Sequence, residues 1–281
     1  MAELINGKKV SEEILEEVRD EIAGKGLKPR LDAVLVGSDP ASELYVSFKE
    51  KACKKVGIES HVYRLPETTS EEELLKLVEE LNNKEEVDAI LVQFPLPNGI
   101  SQEKVVCATS PEKDADGLHP LNLGKLLRGD ETGLLPATPH GVMVLLERSG
   151  VKAAGKNAVV IGRSTLVGKP AAAMLLNRNA TVTVCHSKTK NLAEQAKNAD
   201  ILVAAVGKAK LVTGNMVKQG AVVIDVGTNK VEGKLFGDVD FEAVKEKASK
   251  ITPVPGGVGP MTVAMLMKNV VKAHKMRRQI K

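Results

Sequence analysis

Apolar and polar positions follow two rhythms along the chain. Short continuous runs rich in Val, Ile and Leu predict strands at Leu31–Val36, Ala89–Gln93, Ala158–Ile161, Thr181–Cys185, Ile201–Val206 and Ala221–Val226. Between the runs the apolar period lengthens to that of a helix. Ser70 and Glu73 have capping-box spacing ahead of LLKLVEEL. Asp39 and Pro40 read as N-cap and first residue of another helix, which Gly57 ends. A further helix is predicted from Thr262 to about Arg277. Strands alternating with helices from end to end predict an α/β fold. The strand runs are continuous and β-branched, as in a parallel sheet covered on both faces. Prolines break the rhythm at Leu134–Gly141. The expected division is therefore residues 1–138, then 139–261, with a terminal helix over 262–281 packing back on the first part. A length of 281 residues suits two domains.

Composition narrows the classes of function. Hydrophobic residues make up 43% and charged residues 27%, as in a water-soluble globular protein. Aromatics are only 2% with no Trp, so stacking platforms for nucleic acid are scarce. The net charge of +4 comes from interspersed Lys and Asp/Glu, the pattern of a solvated surface, and no nucleic-acid partner is expected. No stretch reads as a secretory leader or a membrane span, so no membrane association is expected. Cys53, Cys107 and Cys185 are scattered without metal-ligand spacing, and the five histidines form no H-x-x-x-H pair. The expectation is a cytoplasmic protein with reduced thiols and no metal.

The segment Val159–Leu176, VVIGRSTLVGKPAAAMLL, reads as a strand, a glycine turn and a helix start. A helix N-terminus offers free N–H groups and a partial positive charge to a phosphate. Gly162 lets the backbone leave the strand, Gly168 lets the helix approach the sheet, and Pro170 is tolerated in the first turn. The glycines lack G-x-G-x-x-G spacing, and a glycine turn here is also ordinary scaffolding. The next strand adds information. It runs into His186-Ser187-Lys188 rather than the carboxylate that bonds ribose hydroxyls of NAD. Arg163, Ser187 and Lys188 instead suit the 2′-phosphate of NADP; the alternative is a solvated surface arginine.

Three polar residues in the first half suggest chemistry. On a helical wheel Leu44, Tyr45, Phe48, Ala52 and Val56 form an apolar arc, extended by Val46 and Cys53. Lys49 falls inside that arc, while Lys51 and Lys54 fall outside. An amine held among apolar groups is easier to deprotonate and suits proton transfer. Periodicity alone favours the other reading, a lysine that snorkels to water. Gln93 ends a strand before Phe94-Pro95-Leu96-Pro97, where ligands of open α/β sheets bind, although a structural glutamine fits equally. Lys113–Gly117, KDADG, carries two carboxylates, too few ligands for a metal. They read either as turn formers or, when buried, as partners for adjacent N–H donors of a heterocycle.

Together these segments resemble the bifunctional methylenetetrahydrofolate dehydrogenase/methenyltetrahydrofolate cyclohydrolase family. The matching motifs are Gly37–Ser42, Tyr45-Val46 with Lys49 and Lys51, Val92-Gln93 with Pro95-Leu96-Pro97, and Lys113-Asp114 with Asp116-Gly117. They continue with Gly162-Arg163-Ser164, Val167-Gly168, Pro170, Cys185-His186-Ser187 and Pro255–Thr262, PGGVGPMT. The resemblance covers nearly the whole chain. It implies an N-terminal α/β catalytic domain and a Rossmann-like NADP-binding domain with a parallel sheet, with the active-site cleft between them. It implies NADP-dependent oxidation of 5,10-methylenetetrahydrofolate to the methenyl form, then hydrolysis to 10-formyltetrahydrofolate. Lys49, Gln93 and Asp116 are the implied catalytic residues. Tyr45 would pack on the aminobenzoyl ring, Asp116 would read the pterin edge, and Pro260 would line the folate site. The implied cofactor contacts are Gly162, Arg163, Ser164, Val167, Gly168, His186, Ser187, Gly207, Gly227 and Thr228. Pro255–Gly259 would form the wall where nicotinamide meets folate. The resemblance also implies a homodimer through the NADP-binding domain.

Two positions depart from the family pattern. Phe94 replaces the commoner Leu, and Ala137 replaces Cys in the segment Pro136–Pro139. Two other classes stay open from the residues: another NADP-dependent two-domain dehydrogenase, which would not need Lys49, Gln93 and Asp116 together, and a non-catalytic nucleotide sensor.

Overall fold

The computed structural model describes residues 1–280. In chain order its regular elements are β1 (Glu3–Leu4), α1 (Gly7–Lys25), β2 (Arg30–Val36), α2 (Pro40–Val56), β3 (Glu59–Leu65), α3 (Glu71–Asn83), β4 (Ala89–Val92), α4 (Gln102–Ala108), α5 (Pro120–Leu127) and α6 (Ala137–Arg148). Then follow β5 (Asn157–Ile161), α7 (Gly168–Asn177), β6 (Thr181–Cys185), α8 (Leu192–Lys197), β7 (Ile201–Ala204), β8 (Val222–Asp225), β9 (Asn229–Val231), β10 (Lys234–Phe236), α9 (Phe241–Val244), β11 (Lys250–Ile251) and α10 (Val258–Arg277). Contacts divide the chain into two compact units.

The first unit comprises Glu13–Ala137 and the segment from Val263 onward. Its sheet is parallel, in the order β3-β2-β4, with Leu31 opposite Ala89 and Val34 opposite Val92. Val34, Leu74, Val78, Leu81, Ile90 and Val92 form a core between α3 and the sheet, each at most 7% exposed. The caps read in the sequence are present. Asp39 accepts from Ser42 N at 2.8 Å, and Gly57 ends α2 in the left-handed region. Ser70 and Glu73 exchange both arms of the capping box.

The second unit comprises Met1–Glu12 and Thr138–Thr262. Its six-stranded parallel sheet has the order β1-β11-β8-β7-β5-β6. From β5 the chain steps one way to β6, then the other way to β7, β8 and β11. That is a doubly wound arrangement with a switch point between β5 and β7. The N-terminal strand, counted with the first part in the sequence, pairs with β11 at the far edge. A separate antiparallel hairpin, β9–β10, follows β8. Val159, Ile161, Leu202, Val223 and Ile251 lie at the core of this unit.

Some elements differ from expectation. β6 is an edge strand with Thr181, Thr183 and Val184 exposed, so it is not covered on both faces. It is β-branched like an interior strand, but Thr181 and Thr183 alternate along it, and it has a neighbour on one side only. Strand ends are trimmed to Val92, Ala204 and Asp225, because the next residues turn away to form loops. The last helix begins at Val258 rather than Thr262. Gly259 and Pro260 sit in its first turn, where a proline costs no helical hydrogen bond. β3 escaped notice because ESHVYRL is a polar outer strand, paired on one side only.

Candidate active site

In the first unit, α2 presents a face that periodicity did not identify. Ser42, Val46, Lys49, Ala52, Cys53 and Val56 are buried, whereas Leu44, Tyr45 and Phe48 are exposed. The expected arc is therefore split: its Leu44–Tyr45–Phe48 edge faces water, and its centre lies at Lys49. The lysine does not snorkel. It is 9% exposed, and its Nζ donates to Gln93 Oε1 at 2.9 Å. Burial pushes the Lys49 ammonium below the usual lysine range, and the negative charge of Asp116 opposes that shift. Gln93 follows β4 directly. Its backbone N–H donates to Val34 O at 2.9 Å, and its Nε2 donates to Phe94 O at 2.6 Å. With the amide nitrogen committed to the backbone, the amide oxygen is left to face the lysine.

The acidic loop is tied to the same strand. Ile90 N donates to Lys113 O, and Ala115 N donates to Ile90 O, at 2.7 and 3.1 Å. The two carboxylates have different partners. Asp114 accepts from His119 N and Asn122 Nδ2, at 2.7 and 2.9 Å, and so organises the turn. Asp116 is partly buried, and desolvation raises its pKa above the usual carboxyl value. Lys49 opposes the rise, and Asp114 adds to it. Asp116 and Phe94 line one small pocket with Val92, Val105, Asp114 and Leu118. The departure at Phe94 thus falls on the wall that Asp116 shares.

The roles of three contributors were not read from the sequence, although Lys113 and Ser42 fall within its motifs. Lys113 Nζ donates to Leu81 O, Asn82 O and Lys84 O at 2.7–3.0 Å, fastening the acidic loop to the end of α3. Asn269 Nδ2 bridges Ala115 O and Leu135 O. Ser42 Oγ is buried on the Lys49 face, with no hydrogen-bond partner among the described residues. Only Ser42 had a local signal, its i, i+7 spacing from Lys49.

In the second unit, Gly162 has φ 126°, and a Cβ there would overlap the Ala205 carbonyl. A Cβ on Gly168 would overlap the Gly162 carbonyl, so α7 starts against the turn itself. Ser164 Oγ accepts from Val167 N at 3.2 Å and from Gly168 N at 3.4 Å, closing the turn that leads into α7. Ile161 pairs with Cys185 in the β5–β6 ladder. Arg163 and Ser187 each lie two residues past that pair, and both are exposed. His186 closes the turn after β6: its Nδ1 accepts from Lys188 N, and its N–H donates to Thr189 Oγ1. Gly207 has φ 67° and is exposed beyond β7. Gly227 is buried against Asp238, Thr228 is exposed, and Pro260 is partly buried. The glycine cradle, the start of α7 and the adjacent arginine are chemically suited to a nucleotide diphosphate carrying a further phosphate. Among the described residues no cluster of His, Cys, Asp or Glu has the arrangement of a metal site.

Comparison with known proteins agrees with this geometry. Residues 5–116 match the family model for the tetrahydrofolate dehydrogenase/cyclohydrolase catalytic domain, and residues 136–278 match its NAD(P)-binding domain. The chain is 56% identical over 278 residues to the bifunctional protein FolD of Moorella thermoacetica, covering 98% of this chain and 99% of that one. The crystal structure of FolD from Campylobacter jejuni, a methylenetetrahydrofolate dehydrogenase/cyclohydrolase, has a TM-score of 0.96 at 48% identity, over 99% of this chain and 100% of that one. The Trypanosoma brucei enzyme, solved with NADP and an inhibitor, has a TM-score of 0.94 at 40% identity, over 100% of this chain and 99% of that one. Two family-model domains in order, with relatives matched from end to end, leave one assignment: the chain belongs to the tetrahydrofolate dehydrogenase/cyclohydrolase family, as a bifunctional enzyme with a catalytic domain and an NAD(P)-binding domain.

Proposed function

We propose that the residues around Lys49 perform the folate chemistry and that those around Gly162 bind NADP. The enzyme oxidises 5,10-methylenetetrahydrofolate to the methenyl form and hydrolyses that to 10-formyltetrahydrofolate. Bound NADP+ supplies the hydride acceptor, so the protein's task in oxidation is to bind and orient. Arg163 and Ser187 hold the 2′-phosphate; the Ile161–Cys185 pairing that brings them out of the sheet at one level supports this. Gly162, Ser164, Val167, Gly168, His186, Gly207, Gly227 and Thr228 complete the cofactor site. Asp116 pairs with the pterin edge, Tyr45 packs on the aminobenzoyl ring, and Pro260 contributes to the folate site.

Hydrolysis needs a group that moves protons. The Lys49 amine, lowered in basicity by burial and aimed by Gln93, takes a proton from the attacking water at Nζ. The single observation that carries the proposal is that 2.9 Å bond from a buried mid-helix lysine. The test is to incubate the protein with methylenetetrahydrofolate and NADP+ and follow the ultraviolet spectrum. Both NADP+ reduction and decay of the methenyl absorbance are expected. Absence of the first refutes the dehydrogenase; persistence of the methenyl band refutes the cyclohydrolase.

The edge strand β6, with exposed Val184, and the neighbouring α7, with exposed Leu176, support a homodimer formed through the NADP-binding domain. Cys53, Cys107 and Cys185 are all unpaired, which supports a reducing, cytoplasmic setting. No described helix is long and apolar enough to cross a membrane.

A further inference from the structure

Two buried carboxylates in the second unit have no part in the scheme above. Asp225 ends β8, and Asp238 follows the β9–β10 hairpin; they are 3% and 0% exposed. Asp238 gathers the backbone N–H groups of three consecutive residues just past β7. Val206 N and Gly207 N donate to Oδ2 at 2.6 and 3.0 Å, and Lys208 N donates to Oδ1 at 2.8 Å. Asn229 Nδ2 adds a fourth donor to Oδ1 at 3.0 Å. Asp238 is itself held by Asp225, whose Oδ1 accepts from Asp238 N at 2.9 Å and from Gly227 N at 3.0 Å. Its Oδ2 accepts from Val239 N at 3.0 Å. Glycines at 227 and 237 make room for the two carboxylates: a Cβ at either would strike one of them.

The turn held this way has a defined place in the fold. It follows β7, one side of the switch point, and Gly162 on the other side packs against its Ala205 carbonyl. Successive N–H groups converging in a turn form an anion-binding concavity. Here the protein fills that concavity from within, and Gly207 is thereby fixed at φ 67°. The charge spreads over four N–H donors, which is how a buried carboxylate is tolerated without a cation.

We propose that Asp238 is a positioning residue that holds the turn after β7 in the shape that receives NADP. The inference rests on the cofactor reading above and adds a residue remote from the phosphate turn. It separates the two activities, because hydrolysis of methenyltetrahydrofolate uses no cofactor. Asp238→Asn keeps the size but places an amide NH2 among N–H donors. In the full chain it is expected to weaken NADP+ binding about tenfold, the effect of losing one charge-assisted hydrogen bond. Binding is read by calorimetry with NADP+ itself, and KM for NADP+ should rise in step with little change in kcat. Hydrolysis assayed without NADP+ should stay within about twofold of wild type, which a general loss of structure would not allow. Asn229→Ala leaves Asp238 and its three backbone donors in place, removing the outer donor and a longer bond to Phe236 O, and guards against misfolding of the first variant; a two- to threefold weakening is expected. NADP+ affinity unchanged in both folded variants, or hydrolysis falling in parallel with oxidation, would overturn the inference. Wild-type protein that binds NADP+ but fails to oxidise methylenetetrahydrofolate would refute the assigned activity and leave the role of Asp238 standing.

Discussion

Lys49 and Gln93 come from a helix and a strand end 44 residues apart, and they meet in a buried hydrogen bond of 2.9 Å. The glutamine amide cannot reverse without losing its own bond to Phe94 O. The lysine is therefore aimed by a side chain that is itself aimed by the backbone. Lys49→Met preserves the apolar stem and removes the amine. Cyclohydrolase activity should fall by ~10²-fold or more, the usual scale for general acid–base catalysis. Dehydrogenase activity should suffer less, because the cofactor carries the hydride. Steady-state assays of both reactions on one preparation decide the matter; hydride transfer lost with hydrolysis intact would make Lys49 a positioning residue for oxidation.

The electrostatics of the pair predict a pH profile. Burial lowers the Lys49 pKa, so the neutral amine is present below the pH at which an ordinary lysine deprotonates. Hydrolysis should rise with pH and level off below the lysine value of 10.5. Asp116 raises the Lys49 pKa, so Asp116→Asn should move the rise to lower pH. The same variant turns an acceptor into a donor toward the pterin edge. Folate affinity and both activities should drop together, and unchanged affinity would reduce Asp116 to a turn residue.

Arg163→Ala tests cofactor selection. Loss of one charge-assisted phosphate contact costs about 1.5–3 kcal/mol. NADP+ use should weaken roughly tenfold or more while NAD+ use hardly changes. The ratio of kcat/KM for the two cofactors is the measurement, and a wild-type preference for NAD+ contradicts the assignment.

Lys113→Met removes the amine that bonds three carbonyls at the end of α3, of which Lys84 O keeps a longer bond from Val87 N. A loss of roughly 3 kcal/mol of stability is expected. Urea unfolding would show it as a lower midpoint at unchanged slope.

Val184→Lys places a charge on the exposed edge strand β6, a substitution that opposes strand-edge association. Light scattering should then report a dimer for the wild type, as proposed, and a monomer for the variant. A wild-type monomer would refute the dimer proposal directly.

The sequence by itself determined what depends on near neighbours. The capping box of Ser70 and Glu73, the Asp39 cap and the glycine stop at Gly57 each involve atoms within a few residues, so the pattern carries them whole. The strand runs and the strand–turn–helix at Gly162 are local in the same sense. Tertiary structure decided which face of each element is covered. Leu44, Tyr45 and Phe48 are as apolar as the residues buried on α2, yet they lie in water, while the charged Lys49 is enclosed. A helical wheel ranks residues by type, but burial is set by what packs against the helix. β6 is β-branched as β5 is, yet it lies at the sheet edge with one neighbour instead of two. The joining of Asp238 to the turn at Val206, 32 residues away, left no periodic trace, because a carboxylate chooses its donors by proximity in space and not by spacing along the chain.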